Sequence, residues 1–199
     1  MTKPASLPGI ILAAGNSRRM GKNKLLLPFR NKAILQHVID AAHLSSLSPL
    51  ILVTGADNSS ILKAIDIRSA LVIKNPARDG GYGSSLQAGL AAVQESCKGV
   101  MFLPGDQPLL CSSTIEKLIA AFQKEPDRWI APSWNSQRGN PVITPASWFY
   151  SIFALKGDTG PREHLKDPAA KLKLVAVEDR GVVFDIDSPE DYQLLLNHE

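Results

Sequence analysis

Gly9-Ile-Ile-Leu-Ala-Ala-Gly-Asn-Ser-Arg-Arg-Met-Gly-Lys-Asn-Lys24 is the stretch on which the architecture turns. Its first part, Gly9 to Ala14, is short, uncharged and apolar, which predicts a strand buried in the middle of a sheet. Its second part places Arg18, Arg19, Lys22 and Lys24 within seven residues and adds Gly15 and Gly21, where backbone can approach a ligand closely. A basic, glycine-bearing loop directly after a buried strand reads as a cradle for a polyphosphate. The two better-known cradles do not fit. A dinucleotide fingerprint needs a second glycine two residues after Gly15, where Ser17 stands. A P-loop needs four residues between its glycines and Ser or Thr after the lysine, whereas five separate Gly15 from Gly21 and Asn23 follows Lys22.

Outward from this stretch, strand-like and helix-like segments alternate. Leu50–Thr54, Leu71–Lys74 and Gly99–Leu103 read as strands, and 33–44, 59–65 and 84–95 as helices. A further helix is expected to begin at caps Ser112 and Ser113 and to carry Ile115, Leu118, Ile119 and Phe122 on one face. Such βαβ units build a mostly parallel sheet with helices on both faces. Beyond residue 128 the rhythm changes: Trp129–Ala131, Pro141–Thr144, Leu172–Val177 and Gly181–Phe184 are strand candidates with less helix between them, so antiparallel additions are expected in the C-terminal half. A helix from Ser188 to Leu196, with Ser188 as cap and Pro189 in its first turn, closes the chain.

Composition narrows the classes. The 199 residues are 44% hydrophobic and 21% charged, with 14 Gly and 14 Pro, which excludes a disordered, collagenous or coiled-coil chain and leaves enough apolar material for one core. Cys97 and Cys111 are too few for a disulfide framework and belong to no metal-binding spacing. The N-terminal segment lacks the apolar stretch of a signal peptide and no later run reaches membrane-spanning length, so a cytoplasmic protein without a membrane partner is expected. The formal net charge of +3 is too small to mark a nucleic-acid binder.

In an open α/β sheet, ligands sit beyond the carboxyl ends of the strands. Asn75-Pro-Ala-Arg-Asp-Gly-Gly-Tyr-Gly-Ser-Ser-Leu86 leads into a helix through Gly80, Gly81 and Gly83, with Ser84 or Ser85 as its cap. Leu103-Pro-Gly-Asp-Gln-Pro108 holds Asp106 on a tight turn, well placed for a Mg²⁺ that is shared with substrate phosphates. In Phe184-Asp-Ile-Asp-Ser-Pro-Glu-Asp-Tyr192 the capping residues have a structural purpose, whereas Asp185 and Asp187, two apart on extended chain, point the same way. Gln137–Val142 and Lys156–Arg162 are glycine-rich charged segments that composition alone reads as turns. His37, His43, His164 and His198 match neither a catalytic nor a metal pattern, and Trp134, Trp148 and Phe149 are either core or flanks for a planar ligand.

Leu12 to Pro28 follows L-A-A-G-x-S-x-R-M-G-x-x-K-x-L-L-P, which resembles the signature of nucleotidyltransferases with the nucleotide-diphospho-sugar transferase fold, the group that contains the molybdenum cofactor cytidylyl- and guanylyltransferases. The resemblance extends from Gly9 to Tyr192. It implies a three-layer α/β/α Rossmann-like domain over 1–199, with a nucleotide-binding half at about 8–110 and an acceptor-binding half at about 111–199. It further implies that Leu12 and the backbone of Ala13, Ala14 and Gly15 frame base and ribose, with Asn75, Gly80, Ser84, Ser85 and Gly105 in the same site. Arg18, Arg19 and Gly21 would hold the triphosphate, and Lys24 would reach the α-phosphate, so that Lys24, Arg18 and Asp106 carry catalysis. Asp106 and Asp185, with Asp187 as the alternate, would hold Mg²⁺ or Mn²⁺.

The same resemblance assigns Gln107, Gly139, Asn140, Pro141, Gly157, Asp158, Gly160 and Arg162 to the acceptor; Asn140 stands where His is common and Pro161 where Ala is common. Ala14, where guanylyltransferases of the group usually carry a second Gly, points to cytosine. The expectation is therefore transfer of CMP from CTP to molybdenum-molybdopterin, with a xanthine dehydrogenase-type molybdoenzyme or its maturation factor as partner. The competing expectations are guanylyl transfer, cytidylyl transfer to a methylerythritol or sugar phosphate, and a cofactor carrier without turnover.

Overall fold

The computed structural model describes residues 7–15, 23–77, 81–93 and 96–197, with Arg162 described by its backbone only. In chain order its elements are β1 (Leu7–Ala13), β2 (Pro28–Phe29), β3 (Lys32–Ala33), α1 (Ile34–His43), β4 (Leu47–Gly55), α2 (Ser59–Ala64), β5 (Leu71–Asn75), α3 (Gly81–Ala91), β6 (Gly99–Pro104), α4 (Ser112–Lys124) and β7 (Trp129–Trp134). They continue through β8 (Gln137–Arg138), β9 (Val142–Pro145), α5 (Phe149–Phe153), α6 (Pro161–His164), β10 (Leu172–Ala176) and α7 (Pro189–Leu196). The main sheet runs β10-β7-β9-β6-β1-β4-β5, with β8 paired to β7 and a separate β2–β3 hairpin.

The segment quoted first forms the centre. Every residue of β1 is buried, and the strand lies parallel between β4 and β6. Its side chains alternate between two apolar layers, as the two-residue period of a strand demands. Ile11 joins Leu52, Met101, Leu103, Ile130 and Ile143 beneath α1, α2 and α4, where Leu35, Val38 and Ile39 meet Ile115, Leu118 and Phe122. Ile10 and Leu12 join Ile51, Val53, Val100 and Phe102 against Leu86 and Leu90 of α3 and Ile152 of α5. The result is helices, sheet, helices, a three-layer α/β fold. Burying each such side chain contributes about 1.5–3 kcal/mol, which is why these few short strands suffice to fix the sheet.

Register brings the strand ends together: Leu12 is level with Pro104, Ala13 with Thr54, and Gly55 with Asn75. The antiparallel additions are β9, which runs against β6 and β7, and the β7–β8 hairpin; β10 joins parallel to β7.

Three local readings change. Residues 180–183 form a 3-10 turn, not a strand, because Asp179 caps it through a hydrogen bond from Gly181 N–H to Asp179 Oδ1 (2.8 Å). Ser112 and Ser113 lie inside α4; the acceptor at its start is the distant Asp179, which receives Cys111 N–H (2.9 Å) and Thr114 Oγ1–H (2.7 Å). Helix α3 begins at Gly81, so Ser84 and Ser85 are in its body. The Ser188 cap forms as expected and extends to a capping box with Asp191. Trp148 and Phe149 pack with the layer around Trp129, and Trp134 packs on the opposite layer, so these aromatics belong to the core. Among the described residues, no helix is long and apolar enough to cross a membrane.

Candidate functional site

A cavity of about 650 Å³ opens at the carboxyl ends of β1, β4, β5 and β6, between the N-terminal end of α3 and the 3-10 turn Lys24–Leu26. It brings together Leu12, Ala14, Gly15, Lys24, Asn75, Ser85, Gly105 and Asp106, all of which line it. The Ala13 side chain is buried in the core, and neither Ala13 nor Ser84 is among the residues that line the cavity. Asn75 Nδ2 donates to Ser84 Oγ (2.8 Å) and Ser85 Oγ (3.1 Å), its Oδ1 accepts from Ala77 N–H (3.1 Å), and Ser84 Oγ–H donates to Gly81 O (2.8 Å). One buried asparagine thus ties the end of β5 to the first turn of α3.

The charged centre is assembled from three separated segments. Asn23 Oδ1 accepts from Leu25 N–H (3.1 Å) and starts the turn in which buried Leu25 anchors Lys24. Gly105 N–H donates to Leu12 O (3.0 Å), and a Cβ on Gly105 would fall 2.7 Å from that oxygen, so only glycine lets the chain hug β1 and carry Asp106 over its end. Ile186 N–H donates to Asp106 O (3.1 Å) while the Ile186 side chain is fully buried, which leaves Asp185 and Asp187 both facing outward. Lys24 Nζ then lies 2.6 Å from Asp106 Oδ2 and 2.8 Å from Asp187 Oδ1.

The electrostatics follow from this placement. Burial pulls the Lys24 pKa down, but Asp106 and then Asp187 outweigh it, so the ammonium is held above its ordinary value and stays charged. Partial desolvation by the surrounding walls, reinforced by the charges of Asp106 and Asp187, pushes the Asp185 carboxyl above the usual range, with Lys24 opposing only in part. Among the described residues, three carboxylates gather around one lysine, a negative excess that attracts a cation. No group of three His, Cys, Asp or Glu among the described residues is arranged to hold a metal by itself. Two carboxylates completed by phosphate oxygens is, however, the oxygen donor set that Mg²⁺ takes.

A second cavity, of about 400 Å³, adjoins the first and shares Tyr82, Pro104, Asp106 and Asp158 with it. Gln107, Gly139, Asn140, Gly160 and Asp185 line it, together with Arg138, Glu163 and Leu165. The loop between α5 and α6 closes the junction by docking on α3. Gly157 O accepts from Gly83 N–H (3.0 Å) and Asp158 Oδ1 from Tyr82 N–H (3.1 Å), so these amides at the start of α3 already have acceptors. Gly81 has φ +64°, and a Cβ would fall 2.3 Å from Gly157 C, so this contact too requires glycine. Gly157 serves the docking contact, and neither it nor Pro141, buried behind a cis Asn140–Pro141 bond, lines the second cavity.

Arg18, Arg19, Gly21 and Gly80 lie outside the described residues, as does the Arg162 side chain. Sequence reasoning missed Gly55, Ala56 and Asp57, which line the first cavity. The signal was available, since they follow the strand next to β1 and the rule of strand carboxyl ends applies to them equally. It also missed Tyr82, Arg138 and Glu163, whose proximity depends on the docking of α6 and β8.

A sequence profile of the MobA-like NTP transferase domain matches residues 9–174. The purine catabolism protein PucB of Bacillus subtilis is 30% identical over 95% of both chains, and the molybdenum cofactor cytidylyltransferase of Escherichia coli is 30% identical over 92% of both. Nicotine blue oxidoreductase of Paenarthrobacter nicotinovorans is 25% identical over 94% of this chain and 95% of its own. Among solved structures, the homologue of Mycobacterium tuberculosis Rv0371c from Mycobacterium sp. strain JC1 superposes with a TM-score of 0.87, at 25% identity over 96% of both chains. The manganese complex of Rv0371c itself superposes at 0.83, with 26% identity over 98% of this chain and all of that one. With the cavity at the strand ends and the profile agreeing over most of its length, the chain belongs to the MobA-like NTP transferase family and is a nucleotidyltransferase of that type.

Proposed function

We propose that the protein transfers CMP from CTP to the phosphate of molybdenum-molybdopterin, releasing pyrophosphate and giving molybdopterin cytosine dinucleotide. The observation that carries this reading is the pair of adjoining cavities with Asp106 in the wall they share and Lys24 bonded to it. A donor in the first and an acceptor in the second would meet there without crossing solvent. Two relatives support the acceptor: one is a molybdenum cofactor cytidylyltransferase, and the other is a purine catabolism protein, a setting that suits a cofactor made for a xanthine dehydrogenase-type enzyme or its maturation factor.

The reading takes residues 1–199 as one domain. Its first half, about 8–110, supplies the nucleotide side through Leu12, Ala14, Gly15, Asn75, Ser85 and Gly105, with Arg18, Arg19 and Gly21 on the triphosphate. Its second half, about 111–199, supplies most of the acceptor side. An oxygen of the acceptor's phosphate attacks the α-phosphorus of CTP, the new P–O bond forms as the bond to the bridging oxygen breaks, and pyrophosphate leaves. Lys24, charged and anchored beside Asp106, balances the charge gathering on the phosphates, and Arg18 is assigned the same task. Mg²⁺, or Mn²⁺ in its place, would be held by Asp106 and Asp185, with Asp187 as the alternate, and neutralises the triphosphate when bound. No nucleic acid or membrane takes part, and the setting is the cytoplasm.

The nucleotide is tested by melting the protein with CTP, GTP or ATP in the presence of Mg²⁺. CTP at 100 times its Kd adds about 2.7 kcal/mol and raises the Tm most. Mass analysis of the product formed with molybdenum-molybdopterin then detects the cytosine dinucleotide. A larger shift with GTP and a guanine product would replace cytidylyl by guanylyl transfer, and nucleotide binding without any product would favour a carrier.

A further inference from the structure

Among the described residues, Tyr82, Pro104, Asp106 and Asp158 line both cavities. Asp106 is paired with Lys24, and Asp158 Oδ1 receives the Tyr82 N–H (3.1 Å). Pro104 and Tyr82 are the apolar members of this set, and Tyr82 is the larger. Its side chain is 38% exposed where the two cavities meet.

The ring has a defined seat. Its backbone is held by the Tyr82 N–H bond to Asp158 and by the next amide, Gly83 N–H, which donates to Gly157 O (3.0 Å). One edge of the ring lies against Gly160, where a Cβ would fall 2.8 Å from Tyr82 Cε1 and 2.9 Å from Cδ1. Gly160 has φ −141° and ψ −172°, an extended backbone open to any residue, so it is the ring that demands glycine there.

Direct transfer brings the α-phosphorus of the donor and an oxygen of the acceptor to this junction, beside Asp106. Water competes for the same phosphorus, and only surface that excludes it protects the nucleotide from hydrolysis. We infer that the Tyr82 ring shields the α-phosphorus from water, so that the nucleotide is passed to the acceptor. The inference rests on the transfer reading given above. The reaction held back is attack of a water oxygen on the α-phosphorus. A P–O bond forms to give CMP, the bond to the bridging oxygen breaks, pyrophosphate leaves and a proton passes to solvent. Tyr82 acts through its bulk and position and exchanges no proton with the substrate.

The test is the partition of CTP between CMP and the cytosine dinucleotide, measured with Mg²⁺ and molybdenum-molybdopterin. Tyr82→Ala raises the ratio of CMP to dinucleotide about tenfold. Tyr82→Phe, which keeps the ring and loses the hydroxyl, retains the wild-type ratio. Gly160→Ala pushes the ring off its seat and raises the ratio about threefold, an increment that vanishes in the Tyr82→Ala background, where no ring remains to be displaced. A ratio for Tyr82→Ala within about twofold of wild type overturns the inference, even if a KM rises, because Tyr82 would then be a binding contact alone. An equal rise in Tyr82→Phe overturns it as well. Either result leaves the transfer reading intact, whereas a wild-type protein that forms no dinucleotide overturns both. If Tyr82→Ala does not fold, Gly160→Ala and Tyr82→Phe carry the comparison.

Discussion

The two cavities are built in different ways. The larger is framed by the ends of four neighbouring parallel strands and the loops that leave them, so its walls are set by sheet register. The smaller is framed by β8, the approach to β9, the α5–α6 loop with α6, and the segment after the 3-10 turn at 180–183, held together by contacts such as Gly139 N–H to Pro132 O (2.9 Å) and Asn140 N–H to Val182 O (2.8 Å). A wall made of strand ends is fixed by the core, whereas one made of docked loops can change without disturbing it. The difference teaches that the larger cavity is held by the sheet and the smaller by docked loops, with Asp106 and Tyr82 on the seam.

That contrast breaks first at the seam. Asp106→Asn should lower turnover about 10³-fold and impair both substrates, because the carboxylate belongs to both walls and holds Lys24. Steady-state pyrophosphate release checks it, and an effect confined to one substrate's KM would contradict the shared wall. Lys24→Met should cost about 10²-fold in kcat while CTP still raises the Tm, since the lysine acts on developing charge more than on ground-state binding. Retained turnover would remove Lys24 from the mechanism.

Gly81→Ala tests the seam mechanically. A Cβ at φ +64° against Gly157 should cost about 1–3 kcal/mol, seen as a lower Tm, and should raise the KM of both substrates as the 157–158 loop is displaced. Asn75→Ala sharpens the comparison on one side only. With the tie between β5 and α3 cut, the CTP KM should rise roughly fivefold and the acceptor KM should hold.

The smallest effect is electrostatic. Because the folded Asp185 pKa lies above its unfolded value, the folded protein binds this proton more tightly in the interval between the two. Stability is therefore lost as pH rises through that interval, and the loss is complete above the raised pKa. Asp185→Asn should flatten this part of the Tm profile measured between about pH 4 and 7, and leave the ligand-free protein slightly more stable at the upper end. An unchanged profile would mean that Asp185 is not crowded by Asp106 and Asp187.

How much of this was legible in the sequence follows the same division. The apolar run at β1 and the alternation after it announce a parallel sheet, because a strand buried on both faces leaves a continuous local signature. Lys24, Asn75 and Asp106 were readable for a related reason: Asn75 ends β5, Asp106 follows β6 by two residues and Lys24 lies on the segment that leaves β1, where topology rather than packing decides the position. Asp185 and Asp187 were readable as a pair because Ile186 between them must turn inward. The segment Gly55–Asp57 was overlooked for want of a motif, although its position at the end of β4 announced it. Tyr82, Arg138 and Glu163 left no local trace, since only the docking of distant loops brings them to one cavity. The boundaries at Gly81 and Ser112 shifted where a partner far along the chain, Asp158 or Asp179, meets the first turn of the helix, and the strand expected after residue 180 gave way to a turn because the adjacent Asp179 caps it.

The central claim is that donor and acceptor react directly across the wall that the two cavities share. Pyrophosphate release in a single turnover, with enzyme in excess over CTP and with or without molybdenum-molybdopterin, tests it most directly. The account predicts release only when the acceptor is present, with one pyrophosphate formed for each cytosine dinucleotide. Stoichiometric release from CTP alone would signal a covalent nucleotidyl-enzyme or simple hydrolysis, and would contradict it.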